Sequence, residues 1–231
     1  MSHTVLPEAD LIRRNFRTPR AAAIAGILFS LLLMGSMLLI KTSIPADPLT
    51  AAVDVMTHSK RISFGLNLLP FAGICFLWFV GVLRDRVGKL EDRFFATVFF
   101  GSALLFLAMI FAAGAVAAGI LRLLGSGRES LMGPGLYALG RIGIYQVMHV
   151  YAIRMAGVFM ISTSTISLRT RIVPRWMGFL GFALALVLLV SNGTIDVILL
   201  VFPLWVLSIS VHILIDNFRG VSEAATASVR E

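Results

Sequence analysis

The chain has 231 residues, of which 58% are hydrophobic and only 14% charged. A soluble globular domain carries about 25% charge, and here the apolar residues come in blocks, so a water-soluble enzyme or binding domain is excluded in favour of a polytopic membrane protein. The net charge of +8 would suit nucleic acid in a soluble chain, but the basic residues lie mostly between apolar blocks, where membrane topology accounts for them; no nucleic-acid partner is expected.

Residues 1–20 read as a basic cytoplasmic segment carrying Arg13, Arg14, Arg17 and Arg20. The first apolar block follows, 21-AAAIAGILFSLLLMGSMLLI-40, with a span predicted over about 21–41. It exceeds a usual signal-peptide core and further apolar blocks follow, so it is expected to be retained as a span. In the connection 42–61, Leu49, Val53 and Met56 would line one face of a short helix on the membrane surface.

The second block covers 62–83 and holds Pro70 and the single cysteine, Cys75. One cysteine makes no intramolecular disulfide, and no CxxC or metal spacing exists, so Cys75 reads as a packing residue and no metal or cofactor is expected. The third block, 94–121, contains 112-AAGAVAAG-119. Its small residues at four-residue spacing, Ala113/Ala117 and Ala115/Gly119, would let helices approach closely. Contact within one chain is the preferred reading, and a homo- or hetero-oligomer through these faces is the alternative.

The fourth block is the unusual one: 144-IYQVMHVYAIRMAGVFMISTST-165 carries Gln146, His149 and Arg154 at membrane depth. Seven Ile, Val or Phe residues contribute roughly −2 to −4 kcal/mol to its insertion, and a central arginine costs about +2.5 to +3.5 kcal/mol. Starting the helix nearer Leu136, for a span of about 139–164, moves Arg154 toward the cytoplasmic end, where it can snorkel. No register removes every polar group, and intramembrane polar residues are functional candidates by default. At about 100° per residue, Gln146 and His149 share a face and Arg154 stands apart from His149. Candidate partners are Asn67 in the second span and Asp196 at the start of the sixth. A His149–Asp196 pair would resemble a general base with its orienting group, or a proton relay; Asp196 also suits the cap of a helix start. The hydroxyl run 162-STSTIS-167 has no GxSxG context or placed base, and such side chains usually bond backbone carbonyls.

The fifth and sixth spans are predicted at about 174–191 and 194–215, the latter containing Pro203. His212 and Asp216, four residues apart, are expected to pair locally. Residues 217–231 read as a flexible cytoplasmic tail. With six spans, Arg13, Arg14, Arg17, Arg20, Arg84, Arg86, Lys89, Arg93, Arg169, Arg171, Arg175, Arg219 and Arg230 fall on one side. Only Lys41, Lys60, Arg61, Arg122 and Arg128 fall on the other, with Arg141 and Arg154 in or near the fourth span. That bias predicts both termini in the cytoplasm and an all-α six-helix bundle in the inner membrane. P-loop, Rossmann and HExxH patterns are absent.

The segment 172-IVPRWMGFLGFALAL-186, with Arg171, Pro174, Arg175, Trp176, Gly178 and Gly181, resembles the bacterial six-span family called domain of unknown function 4386, and the rest of the chain has an actinobacterial flavour. The resemblance implies the topology and no reaction. Physically, Pro174 suits a helix start, Arg175 and Trp176 suit an interface, and the two glycines admit a neighbouring helix. The leading expectation is an accessory or structural membrane protein whose surroundings are lipid. The alternatives are a small-solute transporter or channel using the polar fourth span, and a membrane-embedded lipid-modifying enzyme with His149 as base.

Overall fold

The computed structural model describes residues 8–43, 52–87, 93–126, 134–170, 174–191 and 197–228. Every regular element among them is helical: α1 (Glu8–Ser43), α2 (Ala52–Thr57), α3 (Ser59–Val87), α4 (Arg93–Gly125), α5 (Pro134–Gln146), a π segment (Val147–Ala152), α6 (Ile153–Thr170), α7 (Arg175–Val190) and α8 (Ile198–Ser228). Helix is the state these blocks require, because a backbone in hydrocarbon must satisfy its own hydrogen bonds. Pro70 and Pro203 both lie inside continuous helices, α3 and α8.

Five stretches are long and apolar enough to cross a membrane: Arg20–Ser43, Ser59–Arg84, Phe95–Gly125, Gly135–Arg169 and Ile198–Phe218. The fourth joins α5, the π segment and α6. The chain is thus all-helical with several helices of membrane-spanning length. Its outer surface agrees: Leu38, Phe64, Trp78, Leu139, Leu186 and Val190 are each more than half exposed, where a water-soluble monomer rarely shows large contiguous apolar surface. α7 is equally apolar but has 16 residues.

The helices run in alternating directions around an aromatic core. Phe76 of α3 is the hub, with ring centroids 4.6 Å from Phe29 of α1, 5.5 Å from Phe106 of α4, 5.3 Å from Phe159 of α6 and 5.8 Å from Phe202 of α8. All five rings are buried. α1 packs along both α3 and α8, α6 along α4 and α7, and α5 against α4 and the π segment.

The helices reach beyond the apolar blocks at both ends. α1 is already helical from Glu8, and α8 continues to Ser228 through most of the segment read as a flexible tail; once the core has nucleated a helix, propagation costs little. α2 lies against the end of α4, with Val55 buried and Met56 beside Gly125; Leu49 is outside the described residues.

Candidate functional site

The polar residues of the fourth span sit where the helix changes pitch. Between Val147 and Ala152 the backbone adopts a π conformation, a wider turn with i→i+5 hydrogen bonds that accommodates an extra residue. Uniform 100° spacing therefore fails here. Gln146 is exposed and His149 is buried, so the two do not share a face. The His149 ring stacks on Tyr145 with centroids 3.9 Å apart and planes 15° from parallel. Its Nδ1 lies 3.2 Å from the Tyr145 carbonyl oxygen, the place for an Nδ1–H donor in the neutral ring.

The other candidates are dispersed. Asn67 is exposed on α3, away from the interior. Asp196 and Arg171 lie outside the described residues, and with Asp196 goes the His149–Asp196 pair. His212 is half-buried and Asp216 exposed, with no ion pair between them. Arg154 is half-buried and forms no hydrogen bond or ion pair with any described residue. Among the described residues no three His, Cys, Asp or Glu side chains group as a metal site.

The hydroxyl run is engaged with its own helix. Ser162 donates to the Val158 carbonyl at 3.0 Å, Thr163 to Phe159 at 2.8 Å and Thr165 to Ile161 at 2.9 Å. Ser164 makes no such bond. Its Oγ fills the place where a Gly181 Cβ in α7 would stand, and the indole Nε1 of Trp205 in α8 lies 2.9 Å from the same point. Ser164 and Trp205 are buried, and neither polar atom has a hydrogen-bond partner among the described residues. Gly178 meets Leu168 in the same way, one turn nearer the basic end. Pro174 precedes the first residue of α7 with φ −55° and ψ 145°, and its carbonyl accepts from Met177 N–H at 3.0 Å. Arg175 and Trp176 point outward.

This small-residue device recurs. Gly26 of α1 receives Ser210 of α8, and Gly65 of α3 receives α1, where Ser36 donates to the Gly65 carbonyl at 2.7 Å. The sequence placed such contacts at Gly178 and Gly181, without naming the partner helix, and also at 112–119. There Ala113 is buried, while Ala115 and Gly119 are exposed and a Cβ at Gly119 would meet nothing within 4 Å. The seams at Gly26, Gly65 and Gly181 had one sequence signal: an isolated glycine in one span and a serine in another. Pairing them requires the fold.

A small hollow lies beside the π segment. It holds about 10 Å³, lined entirely by apolar residues including Leu33, Ile110, Met148, Leu188, Ile198 and Phe202. A water needs at least ~10–15 Å³ and several polar partners, so this hollow is dry and too small for a solute. Comparison with protein-family models, curated proteins and solved structures finds no match to the chain.

Proposed function

We propose that the chain is a non-enzymatic integral membrane protein with an accessory or structural role. It crosses the bilayer six times, with α7 as the short fifth crossing and both termini in the cytoplasm of the producing bacterium. The observation that carries the structural role is the aromatic centre: phenylalanines from four other helices close on Phe76, so that among the described residues the middle is filled by apolar rings. A solute pathway needs polar groups that converge, and Gln146, Asn67 and His149 diverge. The likeness to domain of unknown function 4386 is kept as part of this proposal, resting on the Pro-Arg-Trp start of α7 and the two glycines that seat it.

The topology draws support from the arginines. Arg20 stands over Phe218 at 5.2 Å, Arg84 over Phe100 at 5.2 Å and Arg169 over Phe95 at 5.0 Å. Antiparallel packing brings these three pairs to one end of the bundle. Arg20 Nε also donates to Asn217 Oδ1 at 2.9 Å. A basic, aromatic collar of this kind suits a cytoplasmic interface.

Single cysteines in a Cys75→Ala background, labelled from either side of sealed vesicles, test both parts. Labels at 60 and 122 should react only from outside and a label at 175 only from inside. Position 149, buried inside the bundle, should resist a membrane-impermeant reagent from both sides. Reaction at 149 from either aqueous side would replace the structural reading with a pathway.

A further inference from the structure

The bundle is stepped at the end opposite its arginine collar. The apolar hollow shows where. On one side it touches Leu33, ten residues short of the end of α1 at Ser43, and Ile110, fifteen short of the end of α4 at Gly125. On the other it touches Leu188, two residues from the end of α7, and Ile198, the first residue of α8. At that level α1 and α4 are still deep in their apolar runs while α7 has almost ended and α8 has just begun. α7 is consistent with this: 16 residues rise about 24 Å, short of a hydrocarbon core of about 30 Å.

Arg154 stands at the step. α6 and α7 are antiparallel, with Ser164 opposite Gly181 and Gly157 opposite Ala185 and Leu189. One further turn sets Arg154 level with Ser191, where α7 stops. Tyr151, a turn beyond Arg154, is 56% exposed. An exposed tyrosine prefers the headgroup level, and a guanidinium offers five donors in a fork that matches phosphate. No described residue supplies an anion for it. A short crossing is accommodated by thinning the bilayer beside it.

We propose that Arg154 binds the headgroup phosphodiester of a phospholipid drawn down into this step, with Tyr151 marking the local interface. The inference rests on the membrane-spanning reading given above. Lipid is the source, rather than free phosphate, because Tyr151, one turn away, is exposed on the outside of the span and the hollow beside the π segment is lined by apolar residues. The bound lipid's acyl chains would run beside α6 and α7.

Two measurements test this. In native mass spectrometry of the detergent-solubilised chain, added phosphatidylglycerol should be retained, and diacylglycerol with the same acyl chains should not. Arg154→Gln should weaken retention about tenfold, as loss of a charge-assisted contact implies, while Arg154→Lys keeps part of it. Equal retention by Arg154→Gln, the result expected if Asp196 already holds the guanidinium, overturns the proposal; so does displacement of the lipid by inorganic phosphate. Independently, a spin label at Tyr151→Cys in a Cys75→Ala background should report a depth near the phosphates. A label at Leu77→Cys should report deep hydrocarbon. If both read deep, the step is absent although the spans stand. If the label at 77 reads as aqueous, the spanning reading itself has failed.

Discussion

Ser164 and Gly181 are in closer contact than any side chain other than hydrogen would allow. The serine belongs to α6 and the glycine to α7, and the indole of Trp205 from α8 closes over the same point. Three helices therefore meet at one missing Cβ. Without a hydrophobic force between helices in lipid, close backbone packing of this kind supplies much of the attraction.

Gly181→Ala should consequently destabilise the bundle by about 1–3 kcal/mol, the usual cost of overpacking. Thermal denaturation in mild detergent would read the loss. Ser164→Ala in the same chain should recover part of it, because removing Oγ frees the space a methyl group needs. Strict additivity of the two changes would count against direct contact.

Gly119→Ala is the counterpart. A Cβ at Gly119 meets nothing within 4 Å, and alanine favours helix over glycine by up to about 1 kcal/mol. The variant should be neutral or slightly more stable. A marked loss, or a change in apparent mass by light scattering, would reveal that the face of Ala115 and Gly119 meets a second subunit.

Phe76→Ala should be among the most disruptive single changes, at roughly 3–5 kcal/mol for a buried phenylalanine. Phe76→Leu should cost much less, since most of the volume is kept. Urea-resistant helicity followed by circular dichroism would separate the two; similar losses would mean the aromatic hub is not the centre of stability.

The π segment makes a sharper prediction about deletions. A π turn holds one residue more than the α-helix would need. Removing Val150 should let span four relax to regular helix, leaving α5 and α6 close to their present orientations. Removing Val158 should instead rotate everything before it by about 100° relative to α6 and strip the core of its contacts. Yield of monodisperse protein would compare them, and equal damage would argue that the wide turn is required for folding.

Apolar block length and loop charge made the helices legible, because hydrocarbon leaves the backbone few choices. Pro174, Gly178 and Gly181 were readable as a helix start with a close neighbour. The geometry of Gln146 and His149 was not: nothing in VMHVYA announces a change of pitch, and a single wide turn is enough to send one residue outward and the other inward. The glycine–serine seams were equally hidden, since each joins residues far apart in sequence. Arg154 was visible from its cost alone, but the step it occupies depends on where α7 ends against α6.

Arg20 of α1 bonds Asn217 of α8, and Gly26 meets Ser210 further along the same two helices. During synthesis α1 is made well before α8, so it waits for this second neighbour until α8 emerges. Until that moment its Gly26 seam faces lipid or whatever chaperone stands in for α8. α8 covers this side of α1, so a chain truncated before Ile198 would leave α1 half-clad however well the intervening helices had formed.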